Sequence, residues 1–399
     1  MRVCVLTTSY PRFAEDEAGI FVKRLVEGYH ECGVSGMVIV PRDCDEVRKE
    51  ADFGFAVRRV AYRVFAKRGL AFGAGMMPNL RRNPALILQA PILVLRLAGV
   101  LLWSRKQYDC VHANWILAAC IAWVSSLFTR KPYIVTLRGE DVRLLRNWWA
   151  RLVCWWVIRG AAAITSVNRE FADEISKRFA RAPENTHFVA NGVAVASVTD
   201  EELATFIADK HLCPSSVYLL NVGTVIPRKG VHTIIEALAA DELSHVRLIV
   251  CGRLADDRHY QELQGLIAKH HLGERVHFQG KVAPHEIPYY LGLATAYLTA
   301  SDFEGRPNAV LEACAAGVPV IASKISAHSD FLEHEYSALL FDISEQKDLV
   351  RCIKRICKDE ALRQKLIAAG KELVADLSWK RCAGRYVEIM PHEHRFSTE

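Results

Sequence analysis

The sequence lacks the short motifs that mark the commonest nucleotide, metal and hydrolase sites. Neither half contains Gly-x-Gly-x-x-Gly after its first strand-like segment, and no P-loop, His-Glu-x-x-His or Gly-x-Ser-x-Gly string occurs. The twelve cysteines include no Cys-x-x-Cys pair, so neither a zinc ribbon nor a dithiol redox motif is indicated. The chemistry therefore has to come from residues outside these motifs.

Long uninterrupted hydrophobic runs are also missing. The most apolar stretch, residues 85–103, contains Gln89, Pro91 and Arg96, which fits a covered or membrane-grazing helix better than a spanning one. The first residues carry one positive charge before a short apolar run, unlike the core of a signal peptide. We therefore expect a cytoplasmic protein with reduced cysteines, with peripheral attachment at the inner face of the membrane as an open alternative.

Composition predicts a folded chain of two domains. At 399 residues the chain is longer than one ordinary domain, and 51% hydrophobic with 24% charged residues argues against a disordered or low-complexity protein. Residues 1–190 contain 28 Lys and Arg against 17 Asp and Glu, a balance of +11, whereas residues 191–399 contain 23 against 28, a balance of −5. The two halves are therefore expected to face different partners.

Short apolar segments alternate with segments of helix length in both halves, which predicts two α/β domains with parallel, doubly wound sheets. The expected strands cover residues 2–6, 37–40, 108–113, 132–137, 161–167, 217–222, 246–251, 276–279, 296–299 and 318–322. The clearest expected helices cover residues 19–32, 229–240 and 308–316. The joint between the two domains is expected near residues 190–215.

The most informative segment, residues 301–323, places two glutamates around the start of a helix. Glu304 precedes the breaker cluster Gly305-Arg306-Pro307, and Glu312 falls about one turn inside the expected helix. Carboxylates accept hydrogen bonds from sugar hydroxyls, and the free amides of a helix start favour phosphate oxygens. A solvated loop carboxylate with a helix-capping partner is the alternative interpretation.

A second cluster, residues 221–230, places Arg228 and Lys229 between Gly223 and Gly230 at the end of an expected strand. A nucleoside diphosphate gains negative charge as it leaves a sugar, so positioned cations stabilise the transition state more than the ground state. An exposed turn is the alternative. Carboxylates for hydroxyls and cations for phosphates together predict a nucleotide-sugar ligand.

Through these two clusters and the further motifs given below, the chain resembles the retaining glycosyltransferases of family four, also called group 1 glycosyltransferases. The resemblance covers nearly the whole chain and includes Ala-Gly-Ile-Phe-Val at 18–22, Val-His-Ala-Asn-Trp at 111–115, Val-Thr-Leu-Arg-Gly-Glu-Asp at 135–141 and Asn-Gly-Val at 191–193. It implies the GT-B architecture, two Rossmann-like domains facing a cleft. The acceptor domain would cover residues 1–195, with a crossover helix at about 379–399 packing on it, and the donor domain residues 196–378.

The resemblance also implies roles for individual residues. Lys229, helped by Arg228, would bind the donor diphosphate, Glu304 the hydroxyls of the transferred sugar and Glu312 the ribose hydroxyls. Further donor contacts are implied for Asn308, Gly305, Gly223, Thr224 and Val282, and contacts on the acceptor side for Gly19, His112, Arg138 and Asp141. No cofactor and no metal are expected, because protein cations do the work that Mg²⁺ does in other transferases.

The sequence departs from the family pattern at three places. Gly223-Thr224 stands where the family frequently has Gly-Arg, and Arg138-Gly139 stands where it frequently has His-Gly. The usual Gly-Gly loop is reduced to Gly19, behind Glu15, Asp16 and Glu17. Arg228 would then replace the missing cation, and Arg138 would meet the diphosphate or an anionic acceptor. No general base is identified, and for His112 and Asp141 a buried structural role stays equally open.

A stretch rich in tryptophan and arginine follows in the first half. Trp148-Trp149 and Trp155-Trp156 are interleaved with Arg143, Arg146, Arg151 and Arg159, which fits either a packed helix or contact with an anionic membrane surface. Basic residues at 58, 59, 63, 67, 68, 81 and 82 favour the membrane. No nucleic-acid-binding module accompanies them, so nucleic acid is not an expected partner.

The sequence therefore predicts a retaining, metal-independent glycosyltransferase. It would move a sugar from a UDP- or GDP-sugar to a glycan or lipid-linked acceptor in surface polysaccharide or glycoconjugate biosynthesis. Two alternatives stay open. A nucleotide-sugar 2-epimerase of the same fold would turn over the donor alone, and an inactive sugar-nucleotide binding protein would bind it without turnover.

Overall fold

The computed structural model describes residues 1–13, 16, 18–42, 50–62, 69–71, 76–138, 140–179, 183–194 and 196–391. The chain divides into two compact units, Met1–Gly192 with Leu377–Glu399, and Val193–Asp376. Several residues named above lie outside the described residues: Glu15, Glu17, Arg63, Lys67, Arg68, Gly139, the side chains of Arg81 and Arg143, and residues 392–399 of the expected crossover segment.

The first unit is built on an eight-stranded sheet of order β3-β4-β2-β1-β5-β6-β7-β8. Its strands are β1 (Arg2–Leu6), β2 (Ser35–Pro41), β3 (Glu50–Asp52), β4 (Phe55–Val60), β5 (Cys110–Asn114), β6 (Tyr133–Leu137), β7 (Ala163–Ser166) and β8 (Thr186–Phe188). All pairs are parallel except β3 with β4. The predicted parallel, doubly wound sheet is confirmed, and it carries one antiparallel pair at its edge. Phe53 and Gly54, with φ of 49° and 77°, close a tight hairpin that the sequence pattern did not signal.

The helices of the first unit are α1 (Ile20–Glu31), α2 (Met76–Arg82), α3 (Ala90–Trp103), α4 (Ile116–Thr129), α5 (Glu140–Leu145), α6 (Trp148–Gly160), α7 (Arg169–Phe179) and, from the far end of the chain, α16 (Trp379–Ile389). Cys382, Ala383 and Tyr386 of α16 are buried in one apolar core with α1 and the sheet. Two glycines allow this approach, because a Cβ on Gly28 would lie 2.3 Å from the Trp379 carbonyl oxygen and one on Gly192 2.5 Å from Trp379 Cα.

The second unit has a six-stranded, fully parallel sheet of order β11-β10-β9-β12-β13-β14. Its strands are β9 (Val217–Val222), β10 (Val246–Cys251), β11 (Val276–Gly280), β12 (Ala296–Thr299), β13 (Val320–Ser323) and β14 (Leu339–Phe341). Its helices are α8 (Asp200–Asp209), α9 (Val231–Leu238), α10 (Asp257–Lys269), α11 (Ile287–Leu293), α12 (Asn308–Ala316), α13 (Ser326–Ser329), α14 (Gln346–Lys358) and α15 (Glu360–Val374). The bounds expected for β9, β10, β12 and α12 are confirmed.

One helix begins later than predicted. Residues 229–240 were expected to form one helix, but Pro227–Lys229 form a separate 3-10 turn and α9 starts at Val231. Gly230 separates the two with φ of 66°, a left-handed conformation that ends the turn before the helix begins. Arg228 and Lys229 therefore stand before the helix rather than inside it.

Each sheet has one point where the chain changes direction across the sheet. This point lies between β1 and β5 in the first unit and between β9 and β12 in the second. In open α/β sheets the crevice at the carboxyl ends of such strands is where ligands bind. The loops that follow these four strands are therefore the places to look for a site.

The close packing of α16 on α1 makes Gly28 a sensitive position. We expect Gly28→Ala to cost about 1–3 kcal/mol of stability, because the added methyl group would have to displace the Trp379 backbone. Gly99→Ala in α3 is the matched control, since its Cβ would meet nothing within 4 Å. It should stabilise by about 0.5–1 kcal/mol through helix propensity. Thermal unfolding measures both, and equal effects would contradict this packing.

Candidate active site

Two glycines bring the ends of β9 and β10 into close contact. The Gly223 amide donates a hydrogen bond to the Cys251 carbonyl at 2.9 Å, and a Cβ on Gly252 would lie only 1.7 Å from the Gly223 carbonyl oxygen. A Cβ on Gly223 itself would stand 3.6 Å from the Lys229 ammonium nitrogen. Both glycines therefore keep backbone rather than side chain beside Lys229, while half-buried Thr224 follows in the loop.

The turn that carries the two cations is pressed against the end of β12. Gly230 makes this possible, because a Cβ there would lie 2.0 Å from the Ala300 carbonyl oxygen. Arg228 is held from both sides: its carbonyl accepts the Asp302 amide at 3.0 Å, and its guanidinium donates to the Phe303 carbonyl at 2.9 Å. The β12 loop and the cationic turn thus fix each other.

Glu304 is the acidic centre of this arrangement. It is only 8% exposed and forms a hydrogen-bonded ion pair with Lys229. The Ser301 hydroxyl donates to the same carboxylate at 2.8 Å, and the Arg228 guanidinium approaches to 3.7 Å. Glu304, Lys229 and Arg228, all predicted as site residues, are therefore brought together.

Burial and charge act against each other on Glu304. Burial alone would raise the pKa of this carboxyl group, but the Lys229 ammonium, the Ser301 hydroxyl and the Arg228 guanidinium together hold the pKa below its usual value. Glu304 is consequently ionised across the neutral range, and it keeps Lys229 at a fixed position with part of its ammonium group available to a ligand.

A chain of hydroxyl groups continues from Glu304 into the unit, and sequence reasoning did not identify these residues as part of the site. Ser301 hydrogen-bonds Thr299 at 3.2 Å, and its carbonyl accepts the Ser323 hydroxyl at 2.6 Å. The ring of His328 is held by its Nδ1 at 2.7 Å from the Ser323 carbonyl, while its Nε2 has no hydrogen-bond partner in the described part of the chain. Small polar residues directly after β12 and at the end of β13 were the available signal.

The second carboxylate, Glu312, lies on α12, within the helix as predicted. Tyr297 responds to the charges of both Glu304 and Glu312. Burial, and after it the two carboxylates, raise the pKa of its phenol. The Tyr297 hydroxyl donates a hydrogen bond to the Val222 carbonyl at 3.3 Å. Asn308 opens α12 and donates its amide to the Arg306 carbonyl at 3.0 Å. Both carboxylate charges therefore act on Tyr297, whose hydroxyl lies at the end of β9.

Two predicted donor residues occupy peripheral places in this unit. Gly305 is half-buried in the loop between Glu304 and α12. Val282 is buried after β11, two strands away from β9 in the sheet. Both residues follow the carboxyl ends of strands. Gly305 has no side chain and the side chain of Val282 is apolar, so either could contact a donor only through its backbone or through apolar packing. In the described residues no group of three or more His, Cys, Asp or Glu side chains is arranged to hold a metal ion.

In the first unit, Arg138 occupies the carboxyl end of β6. Its guanidinium donates to Asn114 Oδ1 at 3.0 Å and to Asn191 Oδ1 at 3.0 Å, and it lies 4.3 Å from the centre of the Phe21 ring. Among the described residues no carboxylate is within ion-pair distance of it, and the Asn114 amide nitrogen is buried without a partner. A charged group with neutral partners is thus held beside the point where this sheet changes direction.

Two loops near Arg138 contain residues with positive φ, a backbone conformation that residues other than glycine rarely adopt. Gly19 precedes α1 with φ of 73°, and a Cβ there would lie 2.4 Å from the Ser9 carbonyl oxygen. Trp115, directly after β5, has φ of 71° although it is not a glycine. Asp141 accepts the Ile116 and Arg138 amides, each at 3.2 Å, so its carboxylate fixes both loops.

His112 was named as a candidate on the acceptor side, and the structure corrects this. The residue is fully buried within β5, and both ring nitrogens are engaged, with the Tyr29 hydroxyl at 2.8 Å and the Thr136 hydroxyl at 2.6 Å. Burial, assisted by the nearby Arg138 cation, lowers the pKa of His112 to about 3. His112 is a neutral core residue and is not accessible to a ligand.

The chain matches two protein families along most of its length. Residues 17–192 match the glycosyl transferase 4-like domain, and residues 205–373 match the glycosyl transferases group 1. The two matched segments correspond to the first and the second unit.

Individual relatives are distant. The lipopolysaccharide core biosynthesis glycosyltransferase LpsE of Rhizobium meliloti is 28% identical over 173 residues, which cover 43% of this chain and 49% of LpsE. TuaC of Bacillus subtilis, a candidate teichuronic acid biosynthesis glycosyltransferase, is 22% identical to this chain. The alignment covers 100% of this chain and 99% of TuaC. Among solved structures, Anabaena HepE in complex with UDP and glucose superposes with a TM-score of 0.74 at 17% identity, covering 97% of this chain and 98% of HepE.

The buried ion pair makes a specific prediction about pH. In Lys229→Met, Glu304 stays buried without its main cation, so we expect a loss of about 2–3 kcal/mol near neutral pH. The pKa of Glu304, lowered in the parent protein, should rise in this variant. The loss of stability in Lys229→Met should therefore be complete above the raised pKa of Glu304. It should shrink as the pH falls towards the ordinary carboxyl range, because Glu304 then becomes protonated and neutral.

Urea unfolding of the parent and of Lys229→Met at two pH values, about 7.5 and about 5, measures this change. Adding Glu304→Gln to Lys229→Met should recover most of the loss, because no buried charge is left unpaired. A deficit of equal size at both pH values would show that the ammonium does not control Glu304.

Proposed function

Because this chain has the GT-B fold and carries a glycosyltransferase 4-like domain followed by a group 1 glycosyltransferase domain, we propose that it is a retaining glycosyltransferase using a UDP- or GDP-sugar. The observation that carries this proposal is the cluster of Lys229, Arg228 and Glu304 at the point where the second sheet changes direction. The acceptor is a glycan or lipid-linked glycan of a cell-surface polysaccharide.

The second unit holds the donor in this proposal. Lys229 and Arg228 neutralise the diphosphate, and Gly223 and Gly252 leave the backbone open to it. Glu312 on α12 accepts hydrogen bonds from the ribose hydroxyls. Glu304 accepts a hydrogen bond from a hydroxyl of the transferred sugar through Oε2, the carboxylate oxygen that Arg228 approaches. Support for a nucleotide-sugar donor also comes from HepE, whose structures contain UDP-glucose in one case and UDP with glucose in another.

The chemistry is a transfer of one glycosidic bond. The bond between the anomeric carbon and the phosphate oxygen breaks with its electron pair going to that oxygen. A bond from the anomeric carbon to the acceptor oxygen forms on the same face of the sugar, and the proton of the acceptor hydroxyl passes to the departing phosphate oxygen. The negative charge that develops on the leaving diphosphate lies beside Lys229 and Arg228. Because Glu304 already fixes Lys229, little reorganisation is needed as the charge develops.

We propose that transfer needs no metal ion. A divalent cation in other transferases neutralises the diphosphate, and here two protein cations with fixed positions supply that charge. Arg228 takes the place of the arginine that the family resemblance implies at the position of Thr224.

The first unit holds the acceptor, and Arg138 gives it an anionic preference. A guanidinium that has only amide partners attracts a phosphate or carboxylate more strongly than one already paired with a carboxylate. The unpartnered Asn114 amide nitrogen beside it is a second donor for the same group. We therefore propose an acceptor with an anionic group close to the hydroxyl that receives the sugar.

A nucleotide-sugar 2-epimerase would use the same donor cluster but would not need the acceptor residues of the first unit. No observation in the first unit favours it, since Arg138 and Asn114 are the features that an acceptor explains. Release of an altered sugar from the donor alone, in the absence of any acceptor, would support the epimerase and contradict the transferase.

Loss of Lys229 or of its carboxylate partner Glu304 should strongly reduce transfer. We expect Lys229→Met and Glu304→Gln each to lower kcat by about 100–1,000-fold, the usual cost of one positioned electrostatic group. Lys269→Met, at the exposed end of α10, is the control and should keep full activity. Transfer from labelled UDP- and GDP-sugars with EDTA present measures this, and proton NMR of the product establishes the anomeric configuration. Full activity of both site variants would remove the proposed donor site.

Arg138 should act on the acceptor and not on the donor. We expect Arg138→Met to lower kcat/KM for a phosphorylated or carboxylated acceptor by about 30–100-fold, the value of one or two charge-assisted hydrogen bonds. KM for the donor should change less than about twofold. Arg24→Met on α1, a surface pair with Glu27, is the control. An unchanged acceptor KM would place the anionic preference elsewhere.

A further inference from the structure

Three neighbouring helices of the first unit form one layer. Helix α4 contacts α3 on one side and α6 on the other, and both α3 and α4 pack on the sheet. The inner sides of the three helices are buried, through Leu93, Leu97 and Leu101 on α3, Ala118, Ile121 and Ala122 on α4, and Val157 and Ile158 on α6. The inner side of the layer is therefore fully used by the core of the first unit.

The outer side of the same layer is also apolar. Ten of the fifteen large hydrophobic residues that are exposed in the described residues lie on these helices or on the turn before α3. We call these ten residues the apolar face: Ile87, Leu88, Leu95, Trp103, Leu127, Phe128, Trp148, Trp149, Leu152 and Trp156. Trp103, Phe128 and Leu95 are 77%, 74% and 71% exposed, so none of the residues that the structure describes covers this face. Soluble surfaces rarely concentrate exposed apolar residues in this way.

The position of these residues on their helices shows that they share one side. On α6, helical spacing places Trp148, Trp149, Leu152 and Trp156 within an arc of about 100°. On α3, Leu95 and Trp103 are eight residues apart and fall within a similar arc. Both arcs lie opposite the buried side of the same helix.

The charges on this layer have a single sign. Residues 84–106, 116–131 and 146–160 contain no Asp or Glu. The exposed cations in these segments include Arg96, Arg105, Lys106, Arg130 and Arg159. Arg159 lies over the ring of Trp155 at 4.9 Å, and Arg58 of β4 lies over Trp103 at 5.5 Å. Aromatic residues and cations are thus interleaved at the rim of the apolar face.

We propose that the apolar face docks onto a lipid bilayer that carries anionic lipids. Tryptophans prefer the boundary between headgroups and acyl chains, leucine and phenylalanine enter the acyl region, and the surrounding cations meet lipid phosphates. Charge complementarity selects this partner over a second copy of the chain. Two copies of the face would place cations against cations, which costs binding energy.

The layer lies on the bilayer and does not cross it. Residues Pro84–Trp103 are long and apolar enough to span a membrane, but a third of this segment is buried in the protein. Leu93, Leu97 and Leu101 would have to leave the core for α3 to cross. A helix with one side in a protein core and the other exposed is suited to the plane of the interface.

Vesicle binding of the full-length protein tests the proposal without any substrate. We expect binding to phosphatidylcholine vesicles that contain about one third phosphatidylglycerol, and at least about tenfold weaker binding to pure phosphatidylcholine. High salt should weaken the binding to the anionic vesicles. Equal binding to neutral and anionic vesicles, or binding to neither, would overturn the proposal.

A triple variant tests the face itself. Leu95→Ser with Trp103→Ser and Trp156→Ser should weaken partitioning by at least about 100-fold, because three exposed apolar side chains no longer enter the bilayer. Tyr336→Ser with Ile343→Ser, two exposed residues of the second unit, is the matched control and should bind as the parent does. Thermal unfolding verifies that both variants are folded. Unchanged binding of the triple variant would overturn the assignment of the face.

Two further measurements separate the competing occupants. Sedimentation velocity without lipid would reveal a dimer, and loss of such a dimer in the triple variant would assign the face to a second copy. Alkaline carbonate extraction of cell membranes should release the protein, and resistance to extraction would show that a helix spans the bilayer. Either of these outcomes would overturn the proposal.

Discussion

The carboxylate of Glu304 can stay ionised in its buried position only because Lys229 supplies a cation within hydrogen-bonding distance. Much of the second unit around it serves this contact. Gly230 permits the cationic turn to approach the end of β12, and the Asp302 amide fixes Arg228 from that strand's loop. A ligand with two phosphates therefore meets cations whose positions are set before it binds, which is the condition for stabilising a departing anion.

The two units use the same architectural rule for different chemistry. Each carries its polar side chains at the carboxyl ends of the strands where the sheet order changes direction. In the second unit the cations are paired with Glu304, whereas in the described part of the first unit the Arg138 guanidinium hydrogen-bonds the amides of Asn114 and Asn191. Two cations share one carboxylate in the second unit, so the cluster keeps a net positive charge for a diphosphate. A cation without a carboxylate partner selects for an anion. The difference fits a donor site and an acceptor site.

Much of the architecture follows from hydrophobic periodicity, and the donor cluster follows from residue chemistry near Glu304. Burial and hydrogen-bond geometry could not be predicted from the sequence. His112 lies near the end of β5 and looks available in the sequence, yet Tyr29 and Thr136 occupy both its ring nitrogens. Ser301 looks like an ordinary loop serine, and only the fold places it under Glu304. The start of α9 was misplaced because Gly230 does not break a helical pattern as proline does. Its positive φ is a consequence of the approach to Ala300.

We propose above all that the second unit binds a nucleoside diphosphate through Lys229 and Arg228 without a metal ion. Isothermal titration of the protein with UDP and with GDP, in the presence of EDTA, tests it most directly. We expect saturable binding of one of the two nucleotides, unchanged by EDTA and lost when Lys229 is replaced by methionine. Binding that disappears with EDTA, or that survives the loss of Lys229, would contradict it.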